Sequence, residues 1–169
     1  TDEAAKRELL QAGYPPAAIV QIPYGAALPP PRSAEGQHRA RQALVTANHD
    51  LESADFAPVV LCVERMQPDR GLETLLRAWR LVGRRFPSAK LWIVGDGDYR
   101  QALYEQVVDL ELHRQVYLPG SFDDLSELFQ AADVFVTPSP TQRGRPAALS
   151  AMAAGLPVVA VATPSSRAM

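Results

Sequence analysis

The sequence predicts an α/β domain of three layers, with helices on both faces of a mostly parallel sheet. Three observations carry this. From Pro58 onward, short apolar runs alternate with helical stretches. The runs P-V-V-L-C-V (58–63) and L-W-I-V (91–94) are continuously apolar, as strands buried on both faces are. Leu72, Leu75, Leu76, Trp79, Val82 and Phe86 recur at spacings of three and four, the period of a helix with one buried face. A length of 169 residues suits one such domain and is short for two.

Taken in order, residues 2–12 read as a short helix with acids in its first turn, stopped by Gly13. A β-branched run follows from Ala17 to Pro23. Pro29, Pro30 and Pro31 exclude helix and make a stiff linker. Ser33 opens a second helix that ends near Asn48. Residues 1–50 are thus read as a lead-in and interdomain-type segment, and 51–169 as the domain proper. After the strand at 58–63, Asp69-Arg70-Gly71 leads into the helix already described. Its outer face carries Arg77, Arg80, Arg84 and Arg85, read as a solvated face in preference to a phosphate-binding patch.

Pro87 closes that helix. The next strand ends at Gly95-Asp96-Gly97, and a helix follows with Tyr99, Leu103, Val107 and Leu110 inward. Q-V-Y-L-P-G is a third strand and turn. Asp123 is expected to cap a helix with Leu125, Leu128 and Phe129 inward. D-V-F-V-T is the fourth strand and L-P-V-V-A-V the fifth. The link between these two runs through a polar loop with Gly144 and Pro146, a small-residue helix and a stop at Gly155. Such a βαβ unit aims the N–H groups of its helix N-terminus at an anion. From Pro138 to Met169 there is no Asp, Glu, Lys or His. With right-handed crossovers, the turns after Val63, Val94, Leu118, Thr137 and Val161 should line one edge, where parallel sheets bind ligands.

Composition narrows the function classes. Apolar residues make up 47% and charged residues 21%, ordinary for a globular protein. A net charge of −2 offers no global attraction to nucleic acid or anionic membrane. The single cysteine, Cys62, lies inside a strand pattern and reads as a buried thiol; no internal disulfide and no cysteine metal cluster can form, and no metal is expected. No apolar run is long enough to span a membrane, and no signal peptide opens the chain, so a cytoplasmic setting is expected, with peripheral membrane attachment in a longer protein.

Few residues point to chemistry directly. Gly95-Asp96-Gly97 invites a dinucleotide reading, but the position for a third glycine is Arg100 and no ribose-binding acid ends the next strand, so a tight strand-to-helix turn is preferred. Arg65 and Arg70 both sit in the loop after the first strong strand. Two guanidiniums there can hold a diphosphate; equally, they can pair with Glu64 and Asp69. His38, His49 and His113 are scattered in polar surroundings and assemble no catalytic triad.

The motifs together resemble the C-terminal, donor-binding half of the retaining GT-B glycosyltransferases of family 4, also called group 1. The likeness runs from about Glu8 to Ala162. L-L-Q-A-G-Y-P-P-A-A-I-V-Q-I-P-Y-G is similar to the segment joining that family's two domains. V-E-R-M-Q-P-D-R-G resembles V-G-R-L-x-P-x-K-G, and L-W-I-V-G-D-G-D-Y a strand ending in G-x-G. V-Y-L-P-G, L-F-Q-A-A-D-V-F-V-T-P-S and S-A-M-A-A-G-L-P-V-V-A match further family segments in the same order.

The resemblance implies a Rossmann-like domain that binds a nucleotide-diphosphate sugar, with UDP or GDP as the nucleotide and no other cofactor. It places Arg65, Arg70 and Gly71 at the donor phosphates, with Gly95 and Gly97 in the neighbouring turn. Backbone near Leu118, Pro119 and Gly120 would meet the base. Gly144, Arg145, Pro146 and Ala147 would present amides to the diphosphate. The family's two glutamates, for the donor sugar and the ribose, fall on Gln142 and Ser150; a one-residue insertion would move the first to Thr141. Neither glutamate is present, and T-P-S-S-R-A-M replaces a further acidic motif after the last strand. No catalytic residue is assigned beyond Gln142 at the first glutamate's place. The partners implied are a nucleotide sugar and an acceptor-binding N-terminal domain; without that domain no turnover is expected. Residues 1–30, lacking that domain's sheet, should fray, join the main sheet edge or pair with a second copy as a homodimer. The two missing acids support a second reading, a degenerate interaction or regulatory module. A nucleotide-sugar epimerase of the same architecture is a third, but it predicts an interdomain acid–base set that this sequence lacks.

Overall fold

The structure is a computed structural model that describes residues 3–20, 31–48, 51, 57–139 and 145–162. Its elements are α1 (Glu3–Gln11), α2 (Ala34–Ala47), β1 (Val59–Val63), α3 (Leu72–Arg85), β2 (Lys90–Val94), α4 (Arg100–Asp109), β3 (Val116–Gly120), α5 (Ser126–Ala131), β4 (Val134–Thr137), α6 (Arg145–Ala153) and β5 (Val158–Ala160). The five strands form one sheet in the order β3-β2-β1-β4-β5, and every pairing is parallel. Val59 to Val63 run beside Lys90 to Val94 without a register shift. The order reverses at β1, whose neighbours are β2 on one side and β4 on the other, and ligand crevices open at such a reversal.

The alternation of side chains along each strand feeds two cores. Leu61, Trp92 and Phe135 point to one face and pack with Leu44 of α2, Leu128 of α5, and Ala148 and Ala151 of α6. Cys62, Leu91 and Ile93 point to the other and meet Leu72, Leu76 and Trp79 of α3 and Leu103 and Val107 of α4. Small residues on the buried side of α6 let its backbone lie close to the sheet. The rings of Phe129 and Phe135 pack tilted at 6.0 Å between centroids. Burying a large apolar side chain of this kind stabilises by about 1.5–3 kcal/mol.

The stretch 1–50 divides. In α2, Ser33 is the N-cap and accepts the Gly36 N–H at 3.0 Å; Ala40 and Leu44 join the first core, and Arg41 is buried. In α1 and just after it, Leu9, Leu10 and Tyr14 are exposed. The run expected from Ala17 to Pro23 is a 3₁₀ turn at Pro16–Ala18, with Gln21 onward outside the described residues. Pro29, Pro30 and His49 also lie outside them.

Two details differ from expectation. Val82 and Phe86 are 39% and 52% exposed, because Gly83 takes the inward position at the end of α3, closed by Gln115, whose amide donates to the Gly83 and Pro87 carbonyls. The carboxylate at the start of α5 is that of Asp124, which accepts the Ser126 N–H at 2.8 Å, not that of Asp123; hydrogen bonding from the Ser126 side chain first, and from its backbone N–H second, holds the Asp124 carboxyl below its ordinary range. Among the described residues no helix is long and apolar enough to cross a membrane.

Candidate functional site

A cleft of about 1100 Å³ opens at the carboxyl edge of the sheet, over the reversal at β1. Each wall comes from a different connection. The loop after β1 supplies Glu64, Arg65, Gln67 and Arg70, and the turn after β2 supplies Gly95 to Asp98. Ser121, Phe122 and Leu125 come from the β3–α5 connection, and Pro146, Ala147 and Ser150 from α6.

The first two walls are knitted together by backbone. Glu64 N–H donates to Val94 O and Met66 N–H to Asp96 O, both at 3.0 Å, so the parallel ladder continues past the ends of the strands. Gly95 N–H then donates to Gly120 O at 2.8 Å, tying in the third. This closeness explains the glycines of the turn. A Cβ at Gly95 would overlap the carbonyl oxygen of Glu64, at a φ of 140° that L-residues avoid. Gly71 has the same role on the far side of the loop: its φ is 72°, and a Cβ there would overlap the Pro138 carbonyl.

The two loop arginines differ. Arg65 is exposed, and its guanidinium has no polar partner among the described residues. Arg70 is 3% exposed; its guanidinium donates to Gln67 Oε1 at 2.8 Å and lies 3.2 Å from Asp69 and 3.7 Å from Glu64. Both line the cleft. Beyond the rim, the Tyr99 hydroxyl donates to Glu73, which also pairs with Arg77 at 3.0 Å. The bond to that carboxylate raises the Tyr99 phenol above its usual range. Cys62 beneath the loop is buried, and its thiol is pushed up first by burial and then by the Glu64 charge. Among the described residues no group of His, Cys, Asp and Glu could hold a metal ion.

Of the residues singled out in the sequence, Arg65, Arg70, Gly95, Gly97, Pro146, Ala147 and Ser150 meet in this one cleft. Arg145 opens α6. Gly71 lies behind the loop. Leu118, Pro119 and Gly120 do not line the cleft; their carbonyls accept from Arg100, Asn48 and Gly95, and the next residues, Ser121 and Phe122, form the wall instead. Gln142, Thr141 and Gly144 lie outside the described residues. Sequence reasoning passed over Glu64, Phe122 and Leu125 as cleft residues. The available sign was position: Glu64 directly follows a buried strand, at the edge where ligands sit.

Comparison with known proteins agrees with this architecture. Residues 57–169 match the family described as Glycosyl transferases group 1. A GDP-mannose-dependent monoacylated alpha-(1-6)-phosphatidylinositol monomannoside mannosyltransferase from Corynebacterium glutamicum is 31% identical over 117 residues, 65% of this chain and 31% of that protein. The chain therefore spans about a third of that relative's length. The crystal structure of Anabaena HepE with UDP-glucose superposes with a TM-score of 0.74 at 26% identity, over 99% of this chain and 45% of HepE. The C-terminal domain of a group 1 glycosyl transferase (LpcC) from Francisella tularensis gives 0.59 at 18% identity, over 79% of this chain and 67% of that domain. The solved neighbours are GT-B glycosyltransferases. By the family match over more than half of its length, and by a fold shared with these enzymes, the chain belongs to the group 1 glycosyltransferases.

Proposed function

We propose that the cleft binds the nucleoside diphosphate of a UDP- or GDP-sugar, and that the domain serves retaining transfer of the glycosyl group to an acceptor held by another domain. The observation that carries this is convergence: Arg65, Arg70 and the first turn of α6 meet in one cleft at the sheet reversal. The bond from the sugar to the β-phosphate breaks during transfer, and negative charge develops on the leaving diphosphate. Guanidiniums and helix N-terminal amides already in place stabilise that charge without reorganising. Phe122 and Leu125 offer apolar surface to a base, and the Ser150 hydroxyl a short hydrogen-bonding group to a ribose. Two similar proteins, one a GDP-mannose-dependent mannosyltransferase and the other crystallised with UDP-glucose, support a nucleotide-sugar donor. Calorimetric titration of the folded chain with UDP and with GDP tests the reading. Binding heat from at least one is expected, and none from either, with circular dichroism showing folded protein, rejects it.

A further inference from the structure

Glu64 is a buried carboxylate in the wall of the cleft, its side chain 5% exposed. It accepts the backbone N–H of Arg65 at 3.1 Å and lies 3.7 Å from the Arg70 guanidinium. Asp69 adds a second carboxylate 3.2 Å from Arg70 Nε, and Gln67 Oε1 accepts a hydrogen bond from the guanidinium. The positive charge of the inner arginine is thereby met by protein carboxylates before any ligand arrives. A diphosphate drawn to Arg70 enters the field of a fixed like charge, and a buried pair is screened far less than an exposed one.

Resting on the donor reading of the cleft, we propose that Glu64 is an internal counter-anion that competes with the donor diphosphate for Arg70 and sets a low affinity for it. The 3.7 Å separation fits an exchangeable partner: it is an ion pair without a hydrogen bond. The Glu64 charge reaches its surroundings, since it contributes to raising the Cys62 thiol. The competition acts on phosphates and not on the rest of the ligand, because the carboxylate repels charge while a neutral nucleoside carries none.

The test is titration of the full chain and its E64Q variant with UDP, GDP, uridine and guanosine. Gln is isosteric with Glu, and its amide oxygen can still accept the Arg65 N–H. The expected result is diphosphate binding about tenfold tighter in E64Q, corresponding to a like-charge penalty of about 1.4 kcal/mol, with nucleoside binding unchanged. E64D, which keeps the charge, should stay near wild type. Equal or weaker diphosphate binding in a folded E64Q, while wild type binds, overturns the proposal and leaves the donor reading standing. An equal gain for nucleosides and diphosphates also overturns it, since that would be a change of shape and not of charge. If E64Q does not fold, E64A takes its place under the same criteria. No diphosphate binding by wild type or variant rejects both the donor reading and this proposal.

Discussion

The two ends of the sheet each hold a buried arginine facing a carboxylate, and the pairs are built differently. At the amino edge, Arg41 of α2 is 2.9 Å from Asp133 Oδ2 and donates through Nε to the Ala131 carbonyl at 3.1 Å. The same Asp133 oxygen accepts the Val59 N–H at 2.7 Å, and its other oxygen accepts from Gln37 at 2.8 Å. Charge there is consumed in joining α2, β1 and β4. At the carboxyl edge, Arg70 and Glu64 stand 3.7 Å apart beside open space. Hydrogen-bonded geometry makes the first pair a lock. The looser second pair, at the edge where parallel sheets bind ligands, leaves a charge that a third group can compete for.

The sharpest break of this comparison is Arg41→Ala. Removing one partner of a buried pair costs about 3–5 kcal/mol, and the lower end applies because Asp133 is 38% exposed. Urea denaturation should therefore show a loss near 3 kcal/mol, with nucleotide affinity intact; a loss under about 1 kcal/mol would mean that the apolar contacts of α2 and the Gln37 bonds hold it without the Arg41 pair. Next in size is Gly95→Ala. The added methyl overlaps the Glu64 carbonyl at a positive φ, so about 1–3 kcal/mol of overpacking is expected, together with weaker nucleotide binding as the cleft walls part. Full stability with unaltered binding would show that the two loops can separate freely. Smallest in stability is Arg65→Ala. An exposed side chain without polar partners among the described residues should change stability by less than about 0.5 kcal/mol, yet lower UDP or GDP affinity about tenfold by removing a charge-assisted contact. Unchanged affinity would leave Arg70 as the only loop cation in donor binding.

Much of the fold was legible in the sequence because local physics writes it there. Apolar runs marked the strands, and five strands appear in one parallel sheet; the continuous runs are the well-buried β1 and β2, whereas β5 at the sheet edge leaves Val159 exposed. The 3.6-residue period marked α3 as far as Trp79, where a single face decides burial. The period misled at Val82 and Phe86, since which residue closes a helix end depends on Gln115, a partner 29 or more positions on. The start of α5 differs for a similar reason: Asp123 and Asp124 are alike in sequence, and only the path of the loop makes Asp124 the one that reaches Ser126, with Leu125 at the N-cap position and no side-chain cap there.

The candidate site was legible in its parts. Arginines after a strand and a polar loop before a small-residue helix pointed to an anion, and their positions at strand ends pointed to one edge. Sequence does not separate a free from a paired arginine there; among the described residues Arg65 has no polar partner and Arg70 is paired. Sequence alone determined the strand–helix alternation, the sheet edge that carries the cleft and the family motifs, because periodicity and turn residues act over a few positions. Tertiary structure decided that Arg65 stands open while Arg70 is engaged by Glu64, that Phe122 rather than Pro119 forms the wall, and that α2 is locked to the core. These depend on distances between segments tens of residues apart, which only packing sets.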